Sequence, residues 1–182
     1  MEFNKDVFSS GQVSSKLWLC RKLEETEWKS DITWIYGGWH GMLAFLLLSR
    51  ENFSVNKIRS FDVDSQCEPM ADIINENWIW QEWKFKAFTE DCNSLIPYDT
   101  DLVINTSTEH FLSNQWWDNI PPGHRVVLQG NNLEHKGEQT RISKTLDEFV
   151  ENFPLSDTIY SGKLDFVYPN NSFSRFMVIG TK

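Results

Sequence analysis

The chain has 182 residues, a formal net charge of −9, and many aromatic side chains, nine Trp and thirteen Phe among them. That length suffices to bury a full core in one domain over residues 1–182, and the acidic balance argues against broad binding to nucleic acid or to anionic membranes. Cys20, Cys67 and Cys92 are odd in number and lack CxxC spacing, which argues against a disulfide framework or a zinc site and suits a reducing, cytoplasmic setting. Glu2 and Asp6 near Met1 are unlike a secretory leader, and the longest apolar run, residues 42–48, is too short to cross a bilayer.

In chain order, residues 12–27 carry the period of an amphipathic helix, with Val13, Leu17, Leu19, Cys20 and Leu23 near one face and Ser9 or Ser10 as its cap. Residues 31–36 read as a strand, followed by Gly37-Gly38-Trp39-His40-Gly41 and an apolar helix over residues 40–50. A second strand spans 57–63. A helix follows over 68–77, with Pro69 in its first turn, where a missing N–H costs nothing. Residues 84–89 form a third strand and 101–105 (Asp-Leu-Val-Ile-Asn) a buried fourth. A helix is expected over 111–119, stopped by Pro121-Pro122-Gly123, then a fifth strand over 125–129. Ser143 is expected to cap a helix over 144–152, and residues 158–164 and 174–180 to close the chain as a long-looped hairpin. The Trp78 to Trp83 cluster reads as packing at the edge of the core. Strand and helix alternating in this way predict an α/β fold: a doubly wound, mainly parallel seven-stranded sheet with an antiparallel C-terminal hairpin.

The glycine turn carries the strongest functional signal. Glycines between a strand and a helix allow a sharp turn and let a ligand approach main-chain N–H groups at the positive end of the helix. About twenty residues further on, the second strand ends in Asp62-Val63-Asp64, where a carboxylate can accept hydrogen bonds from both hydroxyls of a ribose. Together they point to a nucleoside-containing cofactor. A nicotinamide fingerprint, G-x-G-x-x-G/A, fails from either start: Trp39 and Met42 spoil the one at Gly37, and His40 and Leu43 the one at Gly38.

The ordered set of signals resembles the class I S-adenosylmethionine-dependent methyltransferases over nearly the whole chain. Gly37 to Gly41 stands where that family has its glycine loop, and Asp62 where it keeps a ribose acid. Thr89-Glu90-Asp91-Cys92 stands where a family acid meets the adenine. Residues 101–110, ending in Glu109-His110, together with the Pro-Pro-Gly approach to the fifth strand, are similar to the family's second half. The resemblance implies a Rossmann-like methyltransferase fold, S-adenosyl-L-methionine as cofactor, and Gly37, Gly38, Trp39, Gly41, Asp62, Val63, Asp91, Cys92 and Asn105 as the residues around it. Ile35 departs from the pattern, because the family's loop opens with an acid that places the methionine end. Asn105, Gln12 and Ser15 are the candidate substitutes. Of the D/N-P-P-Y motif of amino-methylating relatives only Asn105 matches, so nitrogen methylation is not supported.

His110 is the candidate catalytic residue, set against the plainer account of a helix's first turn. Glu134 and His135 are weaker candidates for a base, and Gln129, Asn131 and Asn132 suit the orientation of a polar substrate. Four histidines without ligand spacing imply no metal centre. The implied reaction moves a methyl group to a small-molecule or protein acceptor. The N-terminal helix, the loop after the fifth strand and a second copy in a homodimer are the expected covers of the site. The competing readings are a cofactor-binding protein that does not catalyse, and a different enzyme on the same fold that uses the aminocarboxypropyl group or nicotinamide.

Overall fold

The structure is a computed structural model and describes residues 5–134, 141–169 and 171–182. Its elements in chain order are α1 (Ser10–Glu25), β1 (Lys29–Tyr36), α2 (Met42–Leu48), β2 (Ser54–Asp62), α3 (Cys67–Ile74), α4 (Glu76–Ile79), β3 (Phe85–Thr89), β4 (Leu102–Asn105), α5 (Gln115–Asp118), β5 (Arg125–Asn131), α6 (Leu146–Asn152), β6 (Asp157–Tyr168) and β7 (Asn171–Thr181). The strands form one seven-stranded sheet in the order β3-β2-β1-β4-β5-β7-β6. Strands β1 to β5 pair in parallel, while β7 runs antiparallel to both β5 and β6. The chain travels outward from β1 to β3 and then returns to place β4 on the other side of β1. The ends of β1 and β4 therefore frame the point where strand order reverses, the usual ligand crevice of an open α/β sheet.

Period-two alternation sends successive side chains to opposite faces. Ile35, Leu102, Ile104, Val127, Met177 and Ile179 face α1, α2 and α3, where Leu19, Leu23, Leu43, Leu47 and Ala71 pack on them. Trp34, Tyr36, Val103, Val126, Leu128, Phe176 and Val178 face α5 and α6, which contribute Trp116, Trp117 and Phe149. Strands buried on both faces explain the continuous apolar runs of β4 and β5.

Several sequence expectations needed correction. The helix expected over 111–119 shrinks to Gln115–Asp118, because Asn93 Oδ1 accepts from both the Ser113 hydroxyl at 2.9 Å and the Trp116 N–H at 3.2 Å, which pulls the preceding segment into a bend. The cap of α6 is Thr145, whose hydroxyl accepts from the Glu148 N–H at 3.2 Å, and not Ser143, which is buried and bonded to the Asn152 amide. The closing hairpin is longer than expected, pairing from Asp157 with Thr181 to Tyr168 with Asn171. Ser9 caps α1 as expected, accepting from the Gln12 N–H. The aromatic cluster divides: Trp78 and Ile79 pack against the core, whereas Trp80 is 80% exposed. Among the described residues no helix is long and apolar enough to cross a membrane.

Candidate functional site

After β1 the chain turns through Gly37 (φ +61°) and Trp39 (φ +49°) to Gly41 (φ +73°). The Gly38 N–H donates to the Phe61 carbonyl at 3.1 Å, and a Cβ at Gly38 would lie 1.9 Å from Ser60 Oγ, so bare backbone lies directly on β2. Asp62 closes the turn: Oδ2 accepts from the Trp39 N–H at 2.9 Å and Oδ1 from the Asp64 N–H at 3.1 Å. The left-handed backbone of Trp39, unfavourable for a residue with a side chain, is held by that bond. Its indole stacks on His40 at 4.9 Å between centroids. Burial pushes the His40 imidazole below its ordinary pKa, against the pull of the Asp62 and Asp64 carboxylates.

A cavity of about 940 Å³ opens over the carboxyl ends of the strands. Gly37, Gly38, Trp39, Asp62, Val63, Asp91 and Cys92 line its β1–β3 end. Val63 is exposed at the rim, and burial pushes the Cys92 thiol up to about 12. Asp91 caps a short 3₁₀ turn, Cys92–Ser94, through the Asn93 N–H at 2.9 Å, and still faces the cavity.

Gly41 and Asn105, placed at the cofactor by the resemblance, do not line this cavity. Gly41 instead seats α2 against α3: the Asn75 amide donates to its carbonyl at 3.1 Å and to that of Ala71 at 2.9 Å. A Cβ there would meet Asn75 Nδ2 at 2.6 Å and Ala71 Cα at 3.2 Å in a left-handed backbone. Gly41→Ala is expected to cost about 2 kcal/mol or more, measurable as a lower urea midpoint with unchanged slope. Asn105 is wholly buried, and its Oδ1 accepts from the Ser107 N–H at 2.9 Å, which shapes the loop after β4 from beneath.

The other end of the cavity is charged. His110 and Glu109 lie in a 3₁₀ turn, Thr108–His110, with His110 Nε2 3.8 Å from Glu109 Oε1. The Asn131 side-chain amide also donates to Glu109 Oε1. Lys16 of α1 and Arg175 of β7 complete the group, Lys16 donating to Gln12 Oε1 at 2.6 Å and Arg175 Nη1 to the Thr106 carbonyl at 3.2 Å. Burial raises the Glu109 pKa, with Arg175, His110 and Lys16 acting against that rise. Burial first, and Arg175 second, bring the Lys16 ammonium down from 10.5 to about 7.

Comparison with solved structures assigns the architecture. The N-methyltransferase NodS from Bradyrhizobium japonicum WM9 superposes with a TM-score of 0.70 at 11% identity, over 97% of this chain and 99% of that one. Magnesium protoporphyrin IX methyltransferase from Synechocystis PCC 6803 gives 0.65 at 10% identity, over 99% of this chain and 86% of that one. Geranyl diphosphate C-methyltransferase from Streptomyces coelicolor A3(2) gives 0.65 at 10% identity, over 97% and 84%. This chain has the class I S-adenosylmethionine-dependent methyltransferase fold. At such identities the likeness is one of fold, and no family model and no curated protein matches the sequence.

On this methyltransferase fold, sequence reasoning missed Lys16 and Arg175. Both left a signal: Lys16 interrupts the apolar stripe of α1 between Val13 and Cys20, and Arg175 shares strand parity with the inward-facing Met177 and Ile179. Of the three stand-ins weighed for the acid missing at Ile35, only Gln12 reaches the cavity; Ser15 bonds the Gln12 carbonyl within α1. Gln129 is not at the mouth. It is fully buried and donates to the Ser15 carbonyl at 3.1 Å, tying α1 to β5. Asn132 accepts from the Ser174 N–H at 2.7 Å, Glu134 lies outside the cavity lining, and His135 falls outside the described residues.

The lowered Lys16 pKa has a stability consequence of definite sign. Between about 7 and 10.5 the unfolded chain holds a proton that the folded one has released, so this group makes stability rise with pH across that window. Below about 7 both states are protonated and the cost of the buried ammonium is felt in full. Lys16→Met is therefore expected to gain most over the wild type near about pH 6 and to lose that advantage progressively as the pH rises towards 10.5, as read from paired thermal melts.

Proposed function

We propose that this chain binds S-adenosyl-L-methionine and moves its methyl group to a small-molecule or protein acceptor. The observation that carries the reading is the Asp62 clasp: a carboxylate at the end of β2 binding the glycine turn of β1, beside a large cavity at the reversal of strand order. The residues present fit such a group. Each Asp62 oxygen accepts one backbone N–H and keeps acceptor capacity for a ribose hydroxyl. Gly37 and Gly38 present bare backbone, and the cavity matches the size range of cofactor sites. Asp62 would hold the ribose, Val63, Asp91 and Cys92 the adenine, and Gly37 to Trp39 the main-chain side of the nucleoside. Gly41 and Asn105 would act from behind, by setting the turn and the loop after β4.

When bound, the sulfonium supplies an electrophilic methyl carbon to an acceptor lone pair, and the electrons of the broken C–S bond stay on sulfur. The chain's own work is alignment and exclusion of water. His110, at the cavity with Glu109 behind it, would take the acceptor's proton. α1 covers the β5–β7 side through Gln12 and Lys16. Ile35, wholly buried where the resemblance expects an acid, favours a second reading: a protein that binds the nucleoside without turnover. A thermal-shift panel tests the proposal. Stabilisation by S-adenosylmethionine and S-adenosylhomocysteine but not by NAD is expected, and stabilisation by NAD alone would overturn it.

A further inference from the structure

Three ionisable side chains from distant parts of the chain converge at the β5–β7 end of the cavity: Lys16, Glu109 and Arg175. They are 7%, 2% and 7% exposed, respectively. Charged groups are seldom buried so deeply without a matching partner. The cations here bond neutral oxygens of the chain, the Gln12 amide and the Thr106 carbonyl, and Arg175 Nε has no hydrogen-bond partner among the described residues. Among the described residues Glu109 is the one carboxylate buried with them, and it already accepts from the Asn131 amide; Asp6, exposed at the same cavity, also attracts Lys16. With Lys16 protonated the two buried cations outnumber the buried carboxylate among the described residues, and Arg175 lines the cavity beside them. A guanidinium fork suits a planar carboxylate, and the single excess charge suits a monoanion better than a phosphate, which is close to a dianion.

We propose that Arg175 and Lys16 form a subsite for a carboxylate monoanion and that this carboxylate belongs to the methyl acceptor, making the substrate a small carboxylic acid. The inference rests on the methyltransferase reading above. Its placement follows from the sheet. Arg175 on β7 stands four strand spacings from Asp62 on β2, roughly 19 Å along the sheet. The ribose end and the carboxylate end are thus opposite walls of one cavity, with the ends of β1, β4 and β5 between them for the reacting atoms. Tyr168 and Phe173, which line the same side and stack at 6.2 Å, offer the acid's body an apolar wall.

The test is calorimetry on the full chain. Wild type, Arg175→Lys and Lys16→Met are titrated with S-adenosylhomocysteine and with 5′-methylthioadenosine, which lacks the carboxylate. Each protein saturated with S-adenosylhomocysteine is then titrated with benzoate and glycine, and with benzamide and glycinamide. The expected result is that at least one acid binds the saturated wild type and its amide does not. Each substitution then weakens that acid about tenfold or more and leaves S-adenosylhomocysteine within about threefold. Two variants guard against one that does not fold, which its melt reveals. If Arg175→Lys weakens S-adenosylhomocysteine tenfold and spares methylthioadenosine, the carboxylate is the donor's own and the proposal fails. It fails equally if acids and amides behave alike. Absence of S-adenosylhomocysteine binding to the wild type would instead sink the methyltransferase reading itself.

Discussion

Asp62→Ala is expected to weaken S-adenosylhomocysteine binding by about thirtyfold or more, equivalent to about 2 kcal/mol, while leaving the chain folded. The carboxylate has two tasks in the proposal, accepting from the ribose hydroxyls and holding the turn by way of the Trp39 and Asp64 N–H groups. Removing it takes away charge-assisted bonds to the ligand and frees Trp39 from a backbone conformation it adopts only under constraint. Asp62→Asn separates the two tasks. The amide keeps the shape and one acceptor but turns a donor towards a second N–H, so an intermediate loss is expected. A loss of similar size in both variants with normal melts would place the whole effect in the ribose bonds. Full affinity in Asp62→Ala would remove Asp62 from the site.

The largest stability effect is expected at Trp116. Its indole is fully buried among Tyr36, Phe111, Trp117 and Phe153, with ring centroids 5.3 to 6.3 Å away. It anchors α5, a four-residue helix that packing rather than helix propensity must hold. Trp116→Ala leaves a cavity in a close-packed face and is expected to cost about 3–5 kcal/mol, lowering the melting temperature by roughly 10 °C. Trp116→Phe should be much milder, since it keeps most of the packing and deletes an Nε1–H that has no partner among the described residues. Trp80→Ala, at an 80% exposed position, should stay within about 0.5 kcal/mol of wild type. Equal losses at Trp116 and Trp80 in urea unfolding would contradict this assignment of the core.

The contrast between these tryptophans shows what local sequence conveys. Leu102, Val103 and Ile104 read as a buried strand because burial on both faces demands an unbroken apolar run. The glycine turn was legible because φ, close approach and the acid at Asp62 all act over short spans of chain. The segment at 111–119 misled, because its apolar content packs on Tyr36 and Phe153 while Asn93, from another loop, decides where the helix starts. Gln129 misled for a related reason: a polar residue at a strand end suggests a site, but a carbonyl of α1 claims it in the interior. Lys16 and Arg175 became visible only once α1 lay on the sheet, because their shared burial depends on segments 159 positions apart in the chain. Long-range pairing of charges leaves little local trace beyond a cation inside an apolar pattern.

The central claim is that the clasped turn at the end of β1 is a nucleoside cofactor site, and calorimetric titration of the wild-type chain with S-adenosylhomocysteine tests it most directly. A saturable micromolar isotherm of unit stoichiometry is the expected result. No heat and no melting shift at millimolar ligand would contradict it, leaving a methyltransferase fold whose cavity serves some other ligand.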